Sequence, residues 1–568
     1  MKRSRPSSSS TTLPSTMPTP PLRRLSILLS LVVVTSQQPS SYAYISSGLP
    51  PHTHRRMLRQ LTSDILHTDP GSLSPTAVNT TAPMLMSAWA TVPAVAPAGR
   101  QRSVHSNGGG AAAGIHRGKE RAMEVEKLLK RMIDERKAGN VEAIVKTADY
   151  NAVMKSWVMS GETGGGAAER VEQILTNMQE MYTTGNDTNV QPNLQSFLLA
   201  IEAWTRVPTS SNPDAPRRAQ RILQWMSSIH HSRENDLAAP TTECFHLVLK
   251  SWANSGKLEA PIMAEHLIMY MQHLNSMGVT SVQPDTLCFN IVMSSWLKSG
   301  DITAEKRIRQ IYEYMESASR SGHGEFKADA STYNIVIASI SPAVKKFYDS
   351  HAARRADKIL ARLERGFMKG DESLRPDTII YNQVIDYWAK TQSIRGYWLK
   401  ARDVLDRQIR MYNSGAVRKC QPDVMGYTSV IAACASTYGT KKEKRHAFDV
   451  AHRTFIECCT HDAPNDVTYG IMFKGVSRLL HNREERDRYA RTLFNLACDD
   501  GCLGEMAYSR FEEAVSPELL LELTGGERGG RSSYADLPRS WKRNTKMRMS
   551  AGQNQKSKVD FSRHELRP

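Results

Sequence analysis

In RPDTIIYNQVIDYWAK, residues 375 to 390, an Asp and an Asn stand five positions apart at the start of an apolar run. A carboxylate and an amide at that spacing offer directional hydrogen bonds rather than bond-breaking chemistry. Similar residues recur along the chain. A polar side chain directly follows an aromatic at Asn151, His246, Asn290, Asn334, Asn382 and Thr428, and a short polar residue stands ahead of an apolar run at Asn193, Asp285, Asp329, Asp377, Asp423 and Asn465. The acids have an ordinary use: Pro-Asp just before a helix reads as an N-cap, worth about 1 kcal/mol. The amides lack one, since an early-helix Asn gains little from propensity. Catalytic signatures are missing: there is no GxxxxGK[ST], HExxH or GxSxG, no clustered Asp set at metal spacing, and no deaminase-like His-Glu with paired Cys after 515. The eight cysteines form no CxxC and no zinc spacing, and most fall in segments read as helix, where a buried reduced thiol is the expectation. A non-enzymatic protein without cofactor or metal is expected.

The elements that position these residues repeat. Aromatics at Tyr150, Phe197, Phe245, Phe289, Tyr333, Tyr381, Tyr427 and Tyr469 recur every 42 to 48 residues, each opening an apolar set at i, i+3, i+4, i+7, as in Tyr381, Val384, Ile385 and Trp388. That is the stripe of an amphipathic helix. A second helix follows, marked by sets such as Ala264, Ile268, Met271 and Ala356, Leu360, Leu363, and Gly185, Gly278, Gly322 and Gly370 are placed to stop four of these helices. A pair of helices cannot bury its own apolar face, so neighbours must stack. An all-α solenoid of about eight helix-turn-helix units over 147–515 is expected, with an N-terminal capping helix at 119–146, where Val125, Leu129 and Met132 lie at helical spacing.

These units resemble pentatricopeptide repeats. The resemblance rests on PDTLCFNIVM from Pro284, PDTIIYNQVI from Pro376, PDVMGYTSVI from Pro422 and ADASTYNIVI from Ala328, with the Ala-Leu-Met marks of the second helix. The units are longer than that family's usual repeat of about 35 residues. The resemblance implies a right-handed superhelix whose first helices line a concave groove for single-stranded RNA, one base per unit, read by the residue after the aromatic together with the Asp or Asn before the next first helix. The implied pairs are Asn151 with Asn193, Leu198 with Thr241, His246 with Asp285, Asn290 with Asp329, Asn334 with Asp377, Asn382 with Asp423 and Thr428 with Asn465, while Gly470 is unpaired. Units four to seven would favour U-U-U-A, and Leu198 and Gly470 would be blind. Leu287, Ile379, Met425 and Val467 would sandwich the bases; Gln195 and Glu243 replace them in units two and three.

Formal net charge is +17, but eight Lys/Arg and no acid precede Asp64, and eleven bases against three acids follow from Arg528, so the middle is nearly neutral. Global charge therefore does not decide what the repeats bind. Residues 1–63 read as a targeting segment: LSILLSLVVV at 25–34 is too short to span a bilayer, small residues follow at 40–46, and an Arg-bearing, acid-free stretch comes next. A two-part plastid address is favoured over a mitochondrial presequence, and no stable membrane insertion is expected. Residues 64–118 read as low-complexity linker and 516–568 as a basic tail, either touching phosphate through Arg539, Lys542, Arg543, Lys546 and Arg548 or folding back through Leu537 and Trp541. Both terminal segments are expected to be disordered. The function expected is RNA processing, stability or translation in an organelle; the alternative is a scaffold for protein partners within an organellar or ribosomal complex.

Overall fold

The computed structural model describes residues 51–69, 73, 77–91, 109–140, 143–185, 187–347, 350–391, 394–525 and 534–545. The stretches at 25–34 and 40–46 lie outside the described residues, as do the rest of 1–50 and 546–568; within the two ends expected to be disordered, Pro51–Leu66 and Pro517–Thr524 are instead helical. Among the described residues there are 21 α-helices and no strand. They fall into two compact bodies, one reaching to Val207 and including Asn235–Ala238, the other comprising Pro208–Glu234 and Ala239 onward.

The first body holds α1 (Pro51–Leu66), α2 (Ala82–Thr91), α3 (Gly109–Lys137), α4 (Thr147–Val158), α5 (Gly166–Thr183) and α6 (Leu194–Thr205). The second holds α7 (Ala215–His231), α8 (Thr242–Asn254), α9 (Ala260–Ser276), α10 (Thr286–Ser299), α11 (Ala304–Arg320), α12 (Ala330–Phe347), α13 (Ser350–Met368), α14 (Thr378–Lys390), α15 (Tyr397–Asn413), α16 (Val424–Ala435), α17 (Lys441–His461), α18 (Asp466–Leu479), α19 (Arg483–Asp499), α20 (Glu505–Ala514) and α21 (Pro517–Thr524). From α8 to α17 each even-numbered helix packs on the helix after it and on the next even-numbered helix. The expected stripes are the packing surface: all eight unit aromatics are 5 % exposed or less, and Ala356, Leu360 and Leu363 are fully buried. Gly278, Gly322 and Gly370 follow their helices in the left-handed region, at φ 93°, 101° and 96°, but Gly185 does not; there the helix ends at Thr184 in right-handed geometry.

Two polar ties recur between units. The Trp that ends the stripe donates its indole N–H to the preceding second helix: Trp157 to Glu126 at 2.9 Å, Trp204 to Glu172 at 2.8 Å, Trp252 to Gln220 at 2.8 Å and Trp296 to Glu265 at 2.7 Å. Trp388 has no such acceptor, and its buried indole nitrogen is unpartnered. The first helical residue is the other tie. Thr147, Thr242, Thr286 and Thr378 each reach two backbone carbonyls of the following unit's loop, as Thr378 does with Lys419 at 3.0 Å and Gln421 at 2.7 Å. Neither pattern is visible in a reading that treats the Trp as core and the Thr as a helix start.

Three stretches differ from the sequence reading. Within the segment read as linker, α2 buries Leu85, Met86 and Trp89 at 5 %, 0 % and 6 % exposure against α3 and α4. It shows no single stripe because it is covered on more than one side. After 504, α20 packs on α18 and α19, and α21 packs on α19, making a short ninth pair that runs past the boundary at 515. Part of the basic tail folds back: Leu537 is 4 % exposed, Leu503 N–H donates to Trp541 O at 2.9 Å, and the Trp541 ring meets Phe494 edge-on at 5.5 Å. Gly501, at φ 66°, makes room for this, since a Cβ there would lie 2.4 Å from Arg543 Cγ.

Candidate functional site

Each first helix from the second unit on begins at a short polar N-cap, apart from the third unit's Thr241, whose side chain makes no cap bond. Cap oxygens accept from the third helical N–H: Asn193 from Ser196 at 3.1 Å, Asp285 from Cys288 at 2.9 Å, Asp329 from Thr332 at 2.8 Å, Asp377 from Ile380 at 3.0 Å, Asp423 from Gly426 at 3.1 Å and Asn465 from Thr468 at 2.9 Å. The capping role is therefore real. The same side chains also meet the residue after the preceding unit's aromatic. Nδ2 of Asn151 donates to Asn193 at 3.3 Å, that of Asn290 to Asp329 at 3.0 Å, that of Asn334 to Asp377 at 3.3 Å and that of Asn382 to Asp423 at 2.9 Å, while His246 Nε2 lies 3.0 Å from Asp285. Thr428 is joined to Asn465 only through Thr468, whose hydroxyl is 2.7 Å from that of Thr428 and 2.9 Å from Asn465 Oδ1. Gly470 is filled differently: a Cβ there would lie 3.1 Å from Met506 and 3.3 Å from the backbone of Ala507, so the missing side chain admits α20.

One residue before each third helical position, the apolar side chains proposed to flank a ligand stand in solvent. Leu287, Ile379, Met425 and Val467 are 42 %, 61 %, 65 % and 39 % exposed. Leu287, Ile379 and Met425 are thus uncovered three residues ahead of Asn290, Asn382 and Thr428, Val467 is uncovered ahead of Gly470, which has no side chain to pair, and the fifth unit carries Ser331 at this position.

Cations lie farther along the same helix faces, a signal that the sequence reading missed. Four and eight residues beyond the paired position fall on one face of an α-helix. Those places hold Lys155, Lys250, Lys298, Lys474 and Arg478, together with Arg206 and Lys390, which are bound by Glu202 and Asp386 of their own helices. Lys250 and Lys298 line one surface recess with Asn290, Ala253, Asn254, Ile291 and Ser294. Burial, then the neighbouring charges of Arg478 and Arg510, lowers the pKa of Lys474, so this corner would gain from an anion. Of the tail cations, Lys542 and Arg543 are occupied by backbone carbonyls of Tyr534 and Asp499, at 3.0 and 2.7 Å. Lys546 and Arg548 lie outside the described residues.

At the third unit, the donor atoms of His246, Asp285 and Cys288 lie within 4.8 Å of one another. Burial opposes ionisation of Asp285, but hydrogen bonds from His246 and the Cys288 amide outweigh it and hold the carboxyl at about 2. Burial pushes the Cys288 thiol far up, and its sulfur packs 3.8 Å from Met271 as Cys244 packs 3.9 Å from Met226. The repeated contact marks this thiol as a packing residue.

Comparison with protein-family models and with curated proteins finds no match for this chain. The family likeness rests on the residues quoted above.

Proposed function

We propose that this chain is a non-catalytic single-stranded-RNA-binding protein: a right-handed pentatricopeptide-like α-solenoid whose first helices present successive bases to the paired residues. The observation that carries this reading is the recurrence of one arrangement. In four units an Asn amide is held on the N-cap carboxylate or amide of the next first helix, and His246 takes the same place in a fifth. Paired donors and acceptors of this kind suit the Watson-Crick edge of an unstacked base. The exposed apolar residue beside each of three pairs, Leu287, Ile379 and Met425, and Val467 beside Gly470, supply a surface for the base plane, and Lys250, Lys298 and Lys474 supply charge for the phosphates. The preferred ligand is U-rich, of UUUA type, set by Asn290–Asp329, Asn334–Asp377, Asn382–Asp423 and Thr428–Asn465. The two-part N-terminal segment, a signal-like apolar run at 25–34 followed by an Arg-bearing, acid-free stretch, favours a plastid over a mitochondrion, where such a protein would act in RNA processing, stability or translation. Among the described residues no helix is long and apolar enough to cross a membrane.

A second reading, a scaffold for a protein partner, is favoured by apolar residues at the turns between paired helices: Leu258, Ile302 and Tyr438 are 81 %, 88 % and 70 % exposed. Selection of a randomised single-stranded RNA pool by the full chain separates the two. Enrichment of U-rich sequences over poly-A, weakening as salt rises, supports RNA; no enrichment refutes it in favour of the scaffold.

A further inference from the structure

Residues 51–63, read from composition as the end of a targeting segment, are built into the fold. The acid-free criterion ends that segment at residue 63 because Asp64 is the first acid of the chain. Residue 63 lies inside α1. On that helix Leu58, Thr62 and Ile65 stand at i, i+4 and i+7 and are buried, at 3 %, 3 % and 4 % exposure, while Arg59 and Gln60 are exposed. Both α2 and α3 pack on α1. The Trp89 indole N–H of α2 donates to Thr62 Oγ1 at 3.0 Å in a buried setting, and Arg131 of α3 donates through Nη2 to the carbonyl of Thr68 at 2.6 Å. Arg131 also pairs at 2.7 Å with Glu135, whose side chain is fully buried. A cut at 63 would divide the buried stripe between Thr62 and Ile65, and a cut between 67 and 76 would remove it whole. Either leaves the Trp89 N–H without its acceptor and bares apolar surface that α1 covers.

We propose that the targeting segment is cut before Pro51 and that its Arg-bearing half, with Arg55, Arg56 and Arg59, remains in the mature chain as the first helix of the N-terminal body. Upstream of α1, Ser41-Tyr42-Ala43 sets small residues at the third and first positions before a bond, the pattern that a signal-type peptidase accepts. Hydrolysis of the Ala43–Tyr44 peptide bond consumes one water and leaves a carboxylate on Ala43 and a free amine on Tyr44. The acid-free, Arg-bearing stretch then serves twice, as an address in the unfolded precursor and as packing in the folded protein. This inference rests on the reading of the N-terminal segment as an organellar address and is independent of what the repeats bind.

The test isolates the full gene product, tagged at its C-terminus, from the cells that make it, and identifies its N-terminal peptide by mass spectrometry after free amines are blocked. The expected N-terminus is Tyr44, and any start from 35 to 51 keeps the proposal. A start beyond Pro51 overturns it while leaving the address reading intact. A chain that still begins at Met1 or Lys2 overturns both. Hydrogen exchange on the recombinant full chain checks separately that α1 is held: amides of 58–66 should exchange on the order of a hundredfold slower than in a free peptide of that sequence. Leu58→Asp should remove that protection and lower the thermal midpoint by a few degrees. Amides of 58–66 that exchange in the parent as fast as in the free peptide overturn the retention of α1 as a packed helix.

Discussion

Asp423 separates capping from base reading. Its Oδ1 accepts from Gly426 N–H at 3.1 Å and from Asn382 Nδ2 at 2.9 Å. Asn serves about as well as Asp at an N-cap, so Asp423→Asn should cost less than about 0.5 kcal/mol. Its side-chain carbonyl can still receive the Asn382 amide, as Asn193 receives that of Asn151. Asp423→Ala loses the cap, about 1 kcal/mol. It also strips the half-buried Asn382 amide of its acceptor, which water only partly replaces, for a further ~0.5–1 kcal/mol. The total is about 1.5–2 kcal/mol, against about 0.5–1 kcal/mol for Asn382→Ala. Urea unfolding followed by tryptophan fluorescence gives the stabilities, and competition between RNAs differing at the base opposite this pair gives the selectivity. If Asp423 only caps, selectivity follows stability, and Asp423→Asn behaves as the parent in both assays. If it also reads, Asp423→Asn changes base preference while stability holds. Asp423→Asn as destabilised as Asp423→Ala would refute the assignment of the cap, and unchanged preference would refute the pairing.

Three more outcomes follow from the packing. Glu265 accepts from the Trp296 indole at 2.7 Å and pairs with Arg307 at 2.5 Å. Glu265→Ala should cost about 2 kcal/mol, mostly from the unmet indole N–H, since the half-exposed Arg307 contributes little. The same change in a Trp296→Phe background should cost about 1 kcal/mol less, and equal costs would show the two residues uncoupled. The Asp285 carboxyl, held at about 2 and so below its ordinary value, stabilises the fold fully above about pH 4, and the contribution fades as pH falls through 2. The stability difference between the parent and Asp285→Asn should therefore shrink toward pH 2, and a difference independent of pH would contradict the His246 contact. Gly501→Ala combines φ 66° with a 2.4 Å approach to Arg543 and should cost about 1–2 kcal/mol, with faster amide exchange across 534–545.

The helical repeat was legible because its cause is local. A stripe such as Tyr381, Val384, Ile385 and Trp388 follows from helix geometry, and all four are buried in the structure. The N-caps were legible for the same reason, as a short polar side chain beside Pro is a local device. Helix α2 was not, since a run covered on more than one side has no periodic face. The ninth pair was missed as well, its helices α20 and α21 being only ten and eight residues long.

The candidate site divides along the same line. By itself the sequence determined which residue types recur after each aromatic and before each first helix, because those are matters of spacing along one chain. It could not show that Asp329 caps one helix and holds the amide of another, since that bond joins residues 39 apart and exists only once two helices pack. Nor could it tell Asn290 from Asn382. Both follow a unit aromatic and both face an Asp, yet Thr332 closes one amide while Gly426 leaves the other's carbonyl unmet. That difference is decided by a third side chain brought into place by tertiary packing, where a single hydroxyl sets which hydrogen bonds remain to be made.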